Sequence, residues 1–330
     1  MTIKQYILKF IFQLNKPGVV FYGHNVTEHV GSKLIPSLHI TPSEFESTII
    51  RFKELDFEFI DMEKLIRISK CDFTHNKPWL HLTFDDGYQD NLDIILPILK
   101  KHQIPATIFV SSNHIAEKQR FFTYRIKLAI IYGTHPFQHK QWALTADADR
   151  NTRKKFYRAV VDDFKLMTAA EALSFMKKIE NLIDRELQEK LNLEFSCDEV
   201  MDAYAFRKLA TEELITIGSH NHDHVIMNDN VTDDEMEFQM STSKHWIEKN
   251  TGSKCQSYCY PNGQEADYNE RSKLVCKGYY ELAFTTAFGM VNKSTDKYEI
   301  PRMFLLPDCI SIIHRMAFPS WVFRLRAKLG

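Results

Sequence analysis

Two short polar runs, each set directly behind an apolar segment, constrain this chain more than any other feature. Thr83-Phe84-Asp85-Asp86-Gly87 follows Trp79-Leu80-His81-Leu82, and Gly218-Ser219-His220-Asn221-His222-Asp223-His224 follows Leu214 to Ile217. Two carboxylates crowded at a strand end, with Gly87 allowing a tight turn, cannot both be free solvated anions. A metal on one and general-base duty on the other resolves the conflict. His220 and His224, four apart, can face the same way on one helical turn, as two imidazoles sharing a zinc-like ion must. Taken singly, an Asp-Asp-Gly is usually a solvated turn and a His-rich stretch a polar loop. Both together, in order and each behind a strand, point to a site.

The surroundings alternate strand and helix signals, the mark of an α/β fold. Candidate strands are 19–22, 57–60, 80–84, 106–110, 214–217, 257–260 and 282–285. Thr41-Pro42-Ser43-Glu44 reads as a capping box ahead of Phe45, Ile49, Phe52 and Leu55 at helical spacing, and Thr232-Asp233-Asp234-Glu235 repeats it, with Gly252 closing that helix. In such folds the loops at the C-terminal ends of parallel strands carry the chemistry, and both polar runs fall there. The interval of 134 residues from Asp86 to His220 is too long for one or two β/α units. Its excess, about 121–204, carries the helical stripes Tyr124, Leu128, Ile131 and, after Thr168-Ala169-Ala170-Glu171, Leu173, Met176, Ile179, Ile183, Leu187. It is expected to form a helical insertion over one rim, either a substrate lid or a stabilising flank or dimer contact.

With 44% hydrophobic and 26% charged residues, 330 residues suffice for one large core, and a net charge of -1 gives no global field for nucleic acid. Six cysteines (Cys71, Cys197, Cys255, Cys259, Cys276, Cys309) show no paired metal or secreted-scaffold pattern. Residues 1–18 are apolar but interrupted by Lys4 and Lys9, without a cleavage-site pattern, so a cytoplasmic chain is expected. Residues 311–330, with Trp321, Phe323, Arg324, Arg326 and Lys328, form a second basic amphipathic segment. Such pieces can lie on the inner face of an anionic membrane or pack as terminal helices. The expected division is 1–18, a catalytic unit over 19–310, and 311–330.

These runs, with Tyr258-Cys259-Tyr260-Pro261-Asn262-Gly263 as a third match, resemble the NodB-type polysaccharide deacetylases of carbohydrate esterase family 4. The resemblance covers roughly 19–114 and 205–305. It implies a distorted (β/α)7-type barrel carrying the helical insertion, and hydrolysis of the N-acetyl group of an acetamido sugar. The substrate would be a polysaccharide or its lipid- or nucleotide-linked precursor. It further implies one divalent ion on Asp86, His220 and His224, zinc first, with cobalt, nickel or manganese as alternatives. Asp85 is then the base and the Asn262 N–H an oxyanion donor. Phe21-Tyr22-Gly23-His24-Asn25-Val26 resembles the Tyr-His-x-Val motif of circularly permuted exopolysaccharide and biofilm deacetylases, with Gly23 inserted. This favours His24 over His314 as general acid.

The chain also departs from the family. Cys259 stands where many members carry an Arg that braces the base, and Asn221 where Ser or Thr is usual. Arg302, in Ile300-Pro301-Arg302-Met303, matches the late Pro-Arg segment of permuted members. It would either supply that guanidinium or form an ordinary surface ion pair. The expected partner is an acetylated aminosugar glycan, with oligomeric state open. A sugar deformylase, an O-acetyl esterase or an inactive glycan-binding relative are the competing readings.

Overall fold

The computed structural model of the chain describes residues 3–28, 39–70, 75–183, 185, 188–189, 198–306 and 309–317. Its main sheet has eight strands: β1 (Gly18–Gly23), β2 (Glu58–Phe59), β3 (Trp79–Phe84), β4 (Ala106–Val110), β5 (Ile215–Ser219), β6 (Ser257–Cys259), β7 (Leu282–Phe284) and β8 (Met303–Phe304). They pair in parallel in the order β7-β6-β5-β4-β3-β1-β8, with β2 beside the start of β3. Every residue of β3 and β4 is buried, which is why both read as continuous apolar runs.

The two-residue strand β8 escapes any periodicity argument, yet it closes the barrel. Ile300 exchanges backbone hydrogen bonds with Ala283 and Thr285 beside β7, and Met303 and Phe304 then pair with Phe21 and Tyr22 of β1. One short segment therefore spans the two edges of the sheet, with Arg302 at its middle. The result is the distorted, seven-strand-path (β/α) barrel expected from the sequence.

Helix α1 (Ile3–Asn15) packs against this unit. Phe12 is fully buried in the main core, its ring 5.1 Å from that of Phe57. Helix α2 (Pro42–Glu54) begins with the complete Thr41–Glu44 capping box and buries Phe45, Ile49 and Phe52.

The insertion is mostly helical but also contains an antiparallel hairpin, Phe137–His139 with Trp142–Leu144. Helices α3 (Arg150–Phe164) and α4 (Ala169–Glu180), the latter capped by Thr168 and Glu171, pack with that hairpin around a small core of their own. Phe156, Val160, Met176 and Ile179 are central to it. Buried Arg153 ties these pieces together, its guanidinium donating to the carbonyls of Ile130, Gly133, Thr145, Ala146 and Ala148. The expected helix through Leu187 ends at Glu180, and Leu187 itself lies outside the described residues. The chain rejoins the barrel where Val200 bridges Tyr88 and the Met201 N–H donates to the Gly87 carbonyl.

Helix α5 (Asp233–Thr251) starts at the Thr232 cap and stops at Gly252, φ 70°. Helix α6 (Cys309–Ala317) places Cys309, Ile310 and Ile313 in the main core. The remainder of the expected C-terminal segment, with Trp321, Phe323, Arg324, Arg326 and Lys328, lies outside the described residues. Among those described, no helix is long and apolar enough to cross a membrane.

Candidate active site

Five of the residues singled out in the sequence sit just past the C-terminal end of a strand: His24 after β1, Asp85 and Asp86 after β3, His220 after β5, Asn262 after β6. Asp86 and Gly87 take left-handed conformations, φ 77° and 70°. Asp tolerates that region, and a Cβ on Gly87 would lie 2.9 Å from Val110 Cγ1. This turn brings Asp86 Oδ1 to 3.6 Å from His220 Nε2 and 3.4 Å from His224 Nε2.

The two histidines do not meet on a helical turn, as their spacing suggested. Residues 220–224 form a loop in which Asn221 and His224 are left-handed, φ 74° and 57°. The Asn221 side chain donates back to the Val225 carbonyl, a turn-stabilising bond that Ser or Thr cannot make through an amide. His222 points elsewhere, to Ser112 Oγ at 2.8 Å.

Asp86, His220 and His224 fit a divalent metal. Their three ligand atoms lie within 4.8 Å of one another, and buried Asp86 Oδ1 has no hydrogen-bond partner among the described residues. His220 Nδ1 is 2.8 Å from the Cys259 carbonyl, which can only accept; the proton is therefore on Nδ1 and Nε2 turns a lone pair toward Asp86. Burial, then the neighbouring His224, lowers the His220 pKa to about 4, so it is a neutral ligand at physiological pH. Burial alone would raise the Asp86 carboxyl; His224, 3.4 Å away, with His24 and His220, outweighs it and holds the acid well below its usual range.

Asp85 lives in a different environment one residue away. Arg302 Nη1 and Nη2 each donate to one of its oxygens at 2.8 Å. The other guanidinium hydrogens are also taken: Nε by the Thr285 carbonyl, Nη1 by Thr83 Oγ1, Nη2 by Cys259 Sγ at 2.9 Å. All five donors are thus satisfied in a wholly buried side chain stacked over Tyr22, which is no surface ion pair. Burial pushes the Asp85 carboxyl up, but the charge and hydrogen bonds of Arg302, with His220 and His24, win and keep it depressed and ionised. Asp85, His220 and Cys259 also place three ligand atoms close together, yet the guanidinium on two of them excludes a second cation there.

A cavity of about 370 Å³ opens over this cluster and is lined by His24, Asp85, Asp86, His220, His224 and Asn262. His24 Nδ1 is buried without a partner among the described residues. His314 is elsewhere, edge-on to Phe12. Asn262 has φ 58°, with its carbonyl taking the Thr286 hydroxyl. Tyr258 is core, whereas buried Tyr260 also borders the cavity.

Sequence reasoning missed two contributors. Tyr88, two residues past Asp86, is buried against it, and burial followed by the Asp86 charge drives its phenol pKa well up. Its place directly after the Asp-Asp-Gly turn was the available signal. Tyr157, Val161 and Lys165, spaced by four along α3 and at its end, complete the cavity wall from the insertion. Nothing in their local sequence marks them.

Comparison with known proteins bears on this geometry. Residues 73–280 match the family profile described as polysaccharide deacetylase. Over 86 residues, 26% of this chain and 29% of the relative, the sequence is 38% identical to a poly-beta-1,6-N-acetyl-D-glucosamine N-deacetylase of Staphylococcus epidermidis. Enzymes of the same name from Staphylococcus aureus are 33% identical over 88 residues, 26% of this chain and 30% of theirs. The matches therefore span less than a third of these curated relatives. Among solved structures, IcaB from Ammonifex degensii superposes with a TM-score of 0.60 at 14% identity, covering 92% of this chain and 97% of that one. The Streptococcus pyogenes deacetylase PplD in complex with acetate gives 0.58 at 15%, covering 92% and 98%. At such identities the likeness is one of fold.

Proposed function

Because the chain belongs to the polysaccharide deacetylase family, we propose that it hydrolyses the N-acetyl groups of a glycan built from acetamido sugars, poly-β-1,6-N-acetylglucosamine foremost. The observation that carries this reading is the contrast between neighbouring carboxylates in one cavity. Asp85 is braced by a guanidinium, while Asp86 turns one oxygen, Oδ1, toward two imidazoles without a hydrogen bond to either.

A divalent ion held by Asp86, His220 and His224, zinc foremost for two imidazoles and a carboxylate, would polarise the acetyl carbonyl and lower the pKa of a water. Asp85, fixed by Arg302 and ionised, retains lone pairs on both oxygens and accepts the proton of the attacking water. The Asn262 N–H faces the charge developing on the carbonyl oxygen. His24 delivers a proton to the departing amine, without which an amide nitrogen cannot leave. Tyr157 and Lys165 give the sugar a wall belonging to the insertion, the lid role rather than a remote flank.

The test is chemical: N-acetyl-, N-formyl- and O-acetyl-glucosamine oligomers are incubated with the chain, and released acid and new free amine are counted. Acetate with an equivalent of amine from the β-1,6-linked oligomer is the expected result. Formate alone, or acetate without amine, moves the assignment to a deformylase or an esterase. Binding without any release makes the chain a glycan-binding relative.

A further inference from the structure

We propose that α1 docks the protein on an anionic membrane surface and holds the barrel by the end opposite its active site. On this helix Ile3, Tyr6, Ile7, Phe10 and Leu14 are 81%, 63%, 55%, 65% and 66% exposed. At roughly 100° per residue they fall within one arc of about 100°, with buried Phe12 on the far side. Among the described residues nothing covers this stripe, and isolated exposure elsewhere on the surface does not repeat its continuity. Stripes of this kind mark interaction sites, and the helix gains nothing toward folding from that face.

Charge selects the occupant. Residues 1–18 and 309–330 contain seven Lys or Arg and no Asp or Glu, in a chain whose net charge is -1. The described part of the second segment, α6, packs on α1, with His314 against Phe12. A second copy meeting this stripe about a two-fold axis would set cations against cations. Anionic lipid headgroups bring the opposite sign, while the apolar stripe enters the acyl boundary.

Topology fixes the orientation. Lys16 and Pro17 lead from α1 straight into the first residue of β1, and Gln13 Nε2 donates to Asp56 just before β2. The helix therefore sits where strands begin, and the catalytic residues sit where they end, about 20 Å away along six residues of β1. Docked in this way, the cavity opens toward water, so the glycan it receives reaches it from the aqueous side. A substrate sugar held flush with the bilayer would not arrive there.

The experiment is flotation of the full chain with vesicles of phosphatidylcholine alone or mixed with phosphatidylglycerol, at low and high salt. The chain should float with the anionic vesicles at low salt, at least about tenfold better than with neutral ones, and lose this as salt rises. Ile7→Glu/Phe10→Glu, both at exposed positions, should weaken flotation by at least about tenfold. Acetate release from soluble oligomers should stay unchanged, which also confirms an intact fold. Three results overturn the proposal: no anionic-vesicle binding by the unaltered chain, undiminished binding by the double variant, or a dimer that the double variant dissolves with no vesicle binding in either. Vesicle binding that appears only after removal of residues 318–330 would make the chain's own tail the occupant, and equally overturns it. Flotation does not depend on turnover, so its failure is separable from failure of the deacetylase reading.

Discussion

Where the strands finish, Asp85, Asp86, His220 and Arg302 are all more than nine-tenths buried; where they start, Ile3, Tyr6, Ile7, Phe10 and Leu14 all stand more than half exposed. Each end reverses the ordinary partition of charge and apolar surface. At the finishing end the desolvation cost is offset by pairing, Arg302 on Asp85 and two imidazoles toward Asp86. At the starting end apolar area is left in water with no such offset. Neither arrangement is the one that burial alone would select, and the two should come apart when tested: changes at one end should leave the other end's property untouched.

The largest expected effect is at the finishing end. Asp85→Asn should lower kcat by about 10²–10⁴-fold while bound metal and vesicle flotation stay as they were. Unchanged turnover would remove Asp85 as the base. Arg302→Met comes next, since an isolated buried carboxylate costs about 3–5 kcal/mol. With Arg302 present, the depressed Asp85 pKa contributes stability above the unfolded value of about 4, lost as pH falls through the folded one. Without it burial dominates and the pKa rises, so the acid limb of the kcat/KM profile should move to higher pH. A limb that stays in place would mean that Asp85 does not report in it.

A smaller contrast separates the histidines. His24→Ala should slow turnover by about 10²-fold, and His314→Ala, remote from the cavity, should leave kcat near its original value. The reverse pattern would transfer the general-acid role. The smallest effect expected at this end is that of Cys259→Ala, which leaves one Arg302 N–H without an acceptor, about 1–3 kcal/mol in stability by denaturant melting. Cys259→Ser, which restores an acceptor, should recover most of it.

Much of this was legible because strand-end chemistry needs local sequence: apolar run, turn, carboxylates or imidazoles. The Asp85-Asp86-Gly87 and His220–His224 segments, and the caps at Thr41 and Thr168, follow from such short-range rules. What escaped depends on distance in the chain. Arg302 looked equally like a surface residue, because its burial is decided by β8, a two-residue strand that takes its meaning from β1 and β7. Spacing alone suggested a helical turn for His220 and His224, yet Asn221 and His224 adopt left-handed backbone to the same end. The hairpin in the insertion, and the cavity wall of Tyr157 and Lys165, are set by a separate small core and by Arg153, which caps carbonyls from two pieces of chain.

The central claim is that hydrolysis needs one divalent ion on Asp86, His220 and His224. The direct measurement strips the protein with a chelator and titrates zinc back while following acetate release from the β-1,6-linked oligomer. Release should vanish on stripping and return in proportion to zinc up to one ion per chain, and His220→Ala should neither bind that ion nor recover. Acetate release that survives complete stripping, or that returns equally in His220→Ala, would contradict it.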